Sequence, residues 1–214
     1  FDEALVHYRS ALLVNEEIGN RDGAAICTCA IGIVYADTGN YPIAIEQYRR
    51  ALALHEELGD RAGVAVVNSN LGNVYAYTGE LALALEHYTL ALAVIEETES
   101  TFDAALVIGN IGTVHEDSGD YTKALDCYNR ALDMYQHLGA HAETSRVNGN
   151  IISVLLKIGD HDTAEALLER QALMLMDNQL VLAQHTAHRA VLAEHRGDLD
   201  TAHRVLTQAL TLAS

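Results

Sequence analysis

Hydrophobic and polar residues alternate along the chain with the period of amphipathic α-helices, and the helices themselves recur at a longer interval. Glycine returns every 40 residues at Gly39, Gly79, Gly119 and Gly159, and Gly197 follows after 38. The next residue is aspartate, asparagine or, once, glutamate, and the first two are favoured at the N-cap of a helix. The pattern therefore predicts a turn between two helices at each glycine.

Small and large apolar residues keep one register in every repeat. Five residues after each glycine stands an alanine, and four residues later a large apolar side chain. These positions are Ala44, Ala84, Ala124, Ala164 and Ala202, and Tyr48, Tyr88, Tyr128, Leu168 and Leu206. The alanines let helices approach closely, and no helix pair can bury its apolar face without a neighbour. Two helices of about 16 residues, each roughly 24 Å long, with two short turns account for one period.

The sequence thus predicts an all-α fold, an open α-solenoid of antiparallel helix pairs with about eleven helices in one domain spanning residues 1–214. A single proline in the whole chain agrees with a largely helical structure. The predicted segments are an unpaired second helix at 1–18 and helix pairs at 22–58, 62–98, 102–138, 142–176 and 180–213. Because the chain opens with FDEALVHYRSAL, in the middle of the pattern, we expect a fragment of a longer polypeptide.

One repeat shows a family pattern in full. Its residues are Leu71, Gly72, Tyr75, Ala84, Tyr88 and Ala91. Their identity and spacing resemble the tetratricopeptide repeat, although Asn68 replaces the usual tryptophan, Glu96 replaces the closing proline, and the period exceeds the common length of about 34. The sequence is most similar to the longer-repeat variant of Leu-Gly-Asn scaffolds, kinesin light chains and bacterial signalling proteins.

This resemblance implies a right-handed solenoid that acts in protein–protein interaction. It also implies that the first helix of each pair lines a concave groove, where asparagines contact the backbone of a bound peptide. The lysine-rich carboxylate clamp of chaperone-binding relatives is absent, because Ile26, Val66 and Leu106 occupy its basic positions. Binding of chaperone C-termini is therefore disfavoured.

Polar residues form a stripe on the predicted first helices. In residues 68–80, NSNLGNVYAYTGE, the spacing of Asn70, Asn73 and Tyr77 places them on one helical face. We expect that face to lie opposite a buried side containing Leu71 and Thr78. Stacked repeats would align such stripes, and an amide can both donate to and accept from the backbone of an extended peptide.

The predicted peptide-binding residues are Asn70, Asn73, Tyr77, Asn110, Thr113, Asp117, Asn150, Ser153, Arg146 and Lys157. Arg146 and Lys157 are expected to make the fourth repeat basic, whereas Asp37, Glu116 and Asp117 make the preceding groove acidic, an asymmetry that suits a ligand with ends of opposite charge. The alternative is that the asparagines bond only to adjacent helices or to water.

Other candidate sites fail on spacing or context. The IGNIG sequence at residues 108–112 lacks the preceding strand of a phosphate-binding loop, and its glycines fall within a helix, where they favour close packing. The pair Glu56 and Glu57, and its counterparts 40 residues away, diverge by about 100° on a helix, so they indicate solvated helix ends near Arg21 and Arg61 rather than acid–base catalysis.

Metal binding is also disfavoured. Cys27 and Cys29 point about 200° apart on a helix, which prevents them from sharing one ion. His188 and His195 share a face, so a metal-binding or pH-sensing role competes there with plain surface exposure. We expect no catalytic residue, no metal and no cofactor.

Charge and composition limit the partners. The chain has 30 acidic and 13 basic residues, and its net charge of -17 disfavours nucleic acid and anionic membranes. No apolar run approaches the roughly 20 residues that span a bilayer. Three cysteines without a framework spacing favour reduced thiols and a cytoplasmic setting.

The pattern leaves three functions open. The first is a non-catalytic module that binds an extended peptide or a helix in its groove. The second is the sensory or regulatory segment of a larger signalling enzyme or transcription regulator, which the resemblance implies. The third is self-assembly into a homo-oligomer through the terminal helices.

Overall fold

The computed structural model describes the backbone of residues 1–97, 100–172 and 179–212, with side chains for residues 1–97, 100–170 and 186–207. These ranges contain helices and turns and no strand. The helices are α1 Asp2–Glu17, α2 Arg21–Asp37, α3 Tyr41–Leu58, α4 Arg61–Tyr77, α5 Leu81–Glu97, α6 Thr101–Asp117, α7 Tyr121–His137, α8 His141–Ile158, α9 His161–Ala172, α10 Gln179–His195 and α11 Leu199–Leu212. The all-α class and the eleven predicted helices are confirmed over this part of the chain, while the predicted ends at 98, 176 and 213 lie outside it.

Consecutive helices pack against each other as the repeat predicts. Contacts join α1 to α2, α2 to α3, α3 to α4 and α4 to α5, and a further contact joins the first helices α2 and α4. Likewise α7, α8, α9, α10 and α11 pack in order, and α8 contacts α10. The contacts group into two compact units, Phe1–Val114 and His115–Ser214, whose boundary falls near the end of α6.

Glycines in the left-handed conformation end the helices at the predicted turns. Gly39 has φ 76°, and Gly79, Gly119 and Gly159 have φ 80°. In the first of these turns the amide of Asn40 donates to the carbonyl of Tyr35 at 2.8 Å, which satisfies an end carbonyl of α2. A second set, Gly19, Gly59 and Gly139, closes the other helix of the pair with φ of 67–70°. These three glycines share the 40-residue register, which is interrupted at Glu99.

The N-caps follow the sequence with one exception. Asp120, Asp160 and Asp198 accept hydrogen bonds from the backbone amides three residues later. Asn40 stands at the N-cap of α3 as predicted, but its side chain makes no capping bond. Pro42 stands in the first turn of α3 and has no N–H to offer, so one of the two usual partners of a cap is missing.

The core lies between the helices of each pair and is built on the predicted apolar register. Ala44, Ala84, Tyr48 and Tyr88 are buried in the first unit, and Tyr128 and Leu168 are buried at the same position in the second. These side chains fix the first helices, and hence their polar stripes, against the second helices. The buried alanines of this register are Ala44, Ala51, Ala84 and Ala91 in the first unit and Ala124, Ala131 and Ala164 in the second.

Two positions depart from the predicted pattern of burial. Thr78 is exposed and not part of the buried side, because it caps the C-terminus of α4 and its hydroxyl donates to the Tyr75 carbonyl at 3.2 Å. In α11 Val205 is buried and Leu206 is 48% exposed, one residue out of the register of the earlier helices. The register predicted for the second helices therefore does not extend to α11.

Candidate peptide-binding surface

The asparagines of α4 and α6 are close to one another in the first unit. Asn110 Nδ2 donates to Asn73 Oδ1 at 3.2 Å, and the Tyr88 hydroxyl donates to the same oxygen at 2.7 Å. One helix further along, Asn70 Nδ2 lies 3.8 Å from Cys29 Sγ of α2. The structure therefore connects three successive first helices through side-chain amides, an arrangement we call the amide row, consisting of Asn70, Asn73 and Asn110.

Each member of the amide row keeps polar atoms available to a ligand. All three side chains are half-buried. Within the described part of the chain, Asn73 Nδ2 and the Oδ1 atoms of Asn70 and Asn110 have no hydrogen-bond partner. Bonding to adjacent helices thus uses one end of each amide and leaves the other end as a donor or an acceptor.

The Cys29 thiol beneath this row is not a reactive group. Cys29 is buried, and burial raises its pKa, although the hydrogen bond from Asn70 acts in the opposite direction. A thiol with a raised pKa is protonated at neutral pH and is a poor nucleophile. Cys29 therefore contributes packing and a weak acceptor to the amide row.

A pocket of about 260 Å³ opens next to the amide row between α4 and α6. Val94 and Ile95 from the end of α5 are buried and form its apolar floor. Asn73, Asn110 and the exposed Asp103 also line it. The pocket combines an apolar interior with polar groups at its edge, the usual composition of a ligand site.

The pocket arises where two positions depart from the repeat. One repeat earlier, His55 and Gly63 occupy the places of Ile95 and Asp103. His55 is buried there, and a Cβ at Gly63 would lie 2.1 Å from its Nδ1, so the imidazole fills the corresponding space. The shorter isoleucine leaves that volume open. Periodicity analysis alone missed these residues, but their departure from the repeat was visible in the sequence.

An exposed apolar row runs beside the amides. Ile26, Val66 and Leu106 stand at the same position of α2, α4 and α6 and are 62%, 54% and 39% exposed. Three large apolar side chains aligned on neighbouring helices are a feature typical of interaction surfaces. The face that carries the amide row is therefore able to contact a ligand through both polar and apolar groups.

Tyr77 lies at the C-terminal end of the same stripe. Its side chain is 79% exposed, and its ring stacks on Tyr41 of α3 with centroids 6.3 Å apart and an interplanar angle of 15°. Tyr41, which sequence reasoning did not single out, therefore orients the Tyr77 ring. Thr113 follows Asn110 on α6, is exposed, and its hydroxyl donates to the Gly109 carbonyl at 3.3 Å.

In the first unit an amide oxygen, Asn73 Oδ1, accepts a hydrogen bond from a tyrosine hydroxyl. In the second unit the carboxylate of Glu116 does so. Glu116 Oε2 accepts from the Tyr128 hydroxyl at 2.7 Å, and its Oε1 accepts from Ser153 Oγ at 3.2 Å and from Lys157 Nζ at 2.8 Å. The Glu116 side chain is only 11% exposed. Three donors thus compensate a carboxylate that is largely removed from water.

This cluster changes the predicted electrostatics of the fourth repeat. The hydrogen bond with Glu116 raises the pKa of Lys157, and the ammonium is paired with that carboxylate. The expectation that Lys157 and Arg146 together make the repeat basic is therefore wrong for Lys157, whereas Arg146 is exposed. Asp117 is exposed as well, and Asn150 is half-buried with no hydrogen-bond partner among the described residues.

The remaining candidates have structural partners. Arg21 pairs with Glu57 and Arg61 pairs with Glu97, which confirms these carboxylates as parts of solvated helix ends. His195 contacts the His161 ring at a centroid distance of 5.1 Å and bonds the Val191 carbonyl. Over the described side chains, no three His, Cys, Asp or Glu residues are grouped as metal ligands would be. No helix in this part of the chain is both long and apolar enough to cross a membrane.

Known proteins resemble this chain at the level of fold. BtubC (BKLC) from P. vanneervenii has a TM-score of 0.83 at 19% identity, over 99% of this chain and 90% of that protein. The TPR-like repeats of a putative kinesin light chain from Podosopora anserina give 0.72 at 13% identity, over 86% and 92%. The pilF protein of Pseudomonas aeruginosa gives 0.64 at 21% identity, over 99% and 92%. No curated protein matches the sequence.

The family assignment rests on the sequence itself. The tetratricopeptide repeat profile matches residues 1–57, 63–137 and 103–171, with the last two matches overlapping. Together they cover most of the chain and extend from α1 into α9. The chain belongs to the tetratricopeptide repeat family.

Proposed function

We propose that this protein binds an extended peptide or a helix of a partner protein on the face formed by α2, α4 and α6. The observation that carries the proposal is the amide row, whose half-buried side chains keep unpaired polar atoms beside an apolar pocket. Membership of a family whose repeats generally mediate protein–protein interaction supports it.

The chemistry of the row suits a peptide backbone. Asn73 Nδ2 can donate to a ligand carbonyl, and the Oδ1 atoms of Asn70 and Asn110 can accept from ligand amides. These amides are already held by Cys29, Tyr88 and one another, so little side-chain entropy is lost when a ligand binds. Tyr77, Thr113, Asp117, Asn150, Ser153, Arg146 and Lys157 remain predicted contacts.

The proposal makes the chain a binding module and not an enzyme. A reducing, cytoplasmic setting is in keeping with Cys27, Cys29 and Cys127, which are free thiols. Self-assembly through terminal helices and a regulatory role within a larger protein remain predictions.

The test uses peptides selected on the protein itself. A library of random 12-residue peptides displayed on phage is selected on the wild-type chain, and affinities of the enriched peptides are measured by calorimetry. Replacing Asn70, Asn73 and Asn110 together by alanine should weaken binding by at least about tenfold, since each lost hydrogen bond contributes about 0.5–1.5 kcal/mol. Circular dichroism should show unchanged helicity.

The matched control changes exposed asparagines outside the proposed surface. Asn40 and Asn129 are exposed, and neither makes a side-chain hydrogen bond within the described residues. Their replacement by alanine should leave affinity unchanged. Failure to enrich any peptide, or equal affinity of the triple variant and the wild type, would contradict the proposed function.

A further inference from the structure

The geometry points to a pocket, between α4 and α6, that holds one aliphatic or aromatic side chain of the partner, with a basic residue of the partner next to it facing Asp103. This inference rests on the proposed function and specifies the ligand class: a cationic peptide with one apolar anchor.

The volume suits one side chain. An apolar cavity of about 150 Å³ is enough to bind benzene, so a pocket of about 260 Å³ accommodates leucine, methionine or phenylalanine. Pockets for drug-sized ligands begin at about 300 Å³. The pocket is therefore of a size for a peptide anchor more than for a cofactor.

The lining shows which part of the ligand enters. Val94 and Ile95 form a buried apolar floor, and Val66 and Leu106 are exposed at the mouth. An apolar anchor would cover these four side chains and remove their surface from water. The amide row borders the same opening, so a ligand backbone bound to it would place a side chain directly over the pocket.

The charges at the edge favour a cation. Asp103 is exposed, accepts a hydrogen bond from Ser100 and makes no ion pair within the described residues. The arginines at the first positions of α2 and α4 are already paired with Glu57 and Glu97. Residues 1–114 hold 16 acidic and five basic side chains, so this unit attracts basic peptides over acidic ones.

The space between α2 and α4 corresponds to the pocket one repeat earlier, and it differs from the pocket in two residues. We therefore expect the anchor between α4 and α6 and not between α2 and α4. There the His55 ring fills the volume, and the counterpart of Asp103 is Gly63, which has no charge. A ligand that lies over α2 and α4 would contact a surface without a pocket. A ligand that lies over α4 and α6 would contact the open pocket. The anchor therefore sets the register of the peptide along the amide row.

The experiment uses the phage-displayed 12-residue library already described. Enriched peptides should share one Leu, Ile, Met or Phe with an Arg or Lys within two residues, and alanine at that anchor should weaken binding by about 10- to 100-fold. Ser69, half-buried at the pocket wall, offers the matching change in the protein. Ser69→Leu should fill the pocket and reduce affinity to a similar degree.

The charge is tested separately. Asp103→Asn should weaken binding by about two- to fivefold at low salt, the range of an exposed ion pair. Glu46→Gln makes the same change of net charge on an exposed part of α3 and should have no such effect. Thermal unfolding shows whether each variant is folded.

The outcomes separate the inference from the proposed function. If peptides are enriched and depend on the asparagines but share no apolar anchor, or if they bind Ser69→Leu and Asp103→Asn as tightly as wild type, the pocket is not the anchor site while peptide binding stands. If no peptide is enriched, the proposed function fails, and this inference with it. Should Ser69→Leu not fold, alanine at the peptide anchor still decides the question.

Discussion

At the scale of single residues, glycine and tyrosine are complementary within the helix pairs of the first unit. A Cβ placed on Gly32 would lie 2.7 Å from the Tyr48 ring, and one on Gly72 would lie 2.6 Å from the Tyr88 ring. In the fourth repeat Ile152 and Leu168 occupy the two positions, and both are fully buried. The chain thus fills equivalent spaces in two ways. One is a large ring packed against a glycine, and the other is a pair of aliphatic side chains of similar size.

Replacing the glycine and tyrosine by the aliphatic pair tests this complementarity. We expect Gly72→Ile alone to lower the free energy of unfolding by about 1–3 kcal/mol through overpacking. Tyr88→Leu alone should lose about 1–3 kcal/mol, part of it from the hydrogen bond to Asn73. Urea unfolding of the double variant should show recovery, with a coupling energy of at least about 1 kcal/mol.

Tyr88→Phe distinguishes the contribution of the hydroxyl from that of the ring, because it removes only the hydrogen bond. It should lower the free energy of unfolding by about 0.5–1.5 kcal/mol. Strictly additive losses in the double variant would mean that the ring and the glycine are not packed as the structure shows.

At the scale of elements, the helices were largely predictable because their boundaries depend on local signals that repeat. The glycine turns are an example, since α3, α5 and α7 each begin two residues after Gly39, Gly79 and Gly119. The site was less predictable, because its contacts join residues from different repeats. Nothing local to α8 indicates that Lys157 pairs with Glu116, 41 positions away, and nothing local to α4 indicates that Asn110 occupies an oxygen of Asn73.

The pocket illustrates the same limit. It results from a difference between Ile95 and its counterpart His55, and only the packed neighbours show whether such a difference leaves a space or closes one. A periodic sequence predicts what repeats share, and the functional features of this chain lie where the repeats differ.

The N-caps offer a test at this scale, because the side chain at one N-cap is bonded and the side chain at another is not. Asp60 accepts from the Gly63 amide at 3.0 Å, and this bond is the main cause of the lowered pKa of its carboxyl. Asp60→Ala removes this bond and also the 2.8 Å contact with His55 Nδ1, and it should lower the free energy of unfolding by at least about 1 kcal/mol. Asn40→Ala removes no capping bond and should change it by only a few tenths.

Thermal and urea unfolding of the two variants in parallel provide the comparison. Equal losses would show that Asn40 caps α3 in solution after all, and a negligible loss at Asp60 would show that its bond to Gly63 adds no stability.

At the scale of the whole molecule, excess negative charge is the dominant electrostatic property. The chain has 30 acidic and 13 basic residues. Several of the cations are paired, among them Arg21 with Glu57, Arg61 with Glu97 and Arg196 with Glu165. Exposed pairs of this kind stabilise proteins by only about 0–1 kcal/mol each, whereas a net charge of -17 produces repulsion over the entire chain.

Salt distinguishes the repulsion from the ion pairs, because it weakens the two to different degrees. Raising NaCl from 10 to 150 mM shortens the Debye length from about 30 to about 8 Å, so it screens distant repulsion more strongly than close pairs. We therefore expect the midpoint of thermal unfolding to rise with salt. Glu46→Lys, which reverses one exposed charge of α3, should raise the midpoint at 10 mM and reduce its dependence on salt. A midpoint that falls over this range would mean that the ion pairs between helix ends stabilise the fold more than the excess charge destabilises it, and the repulsion argument would have to be abandoned.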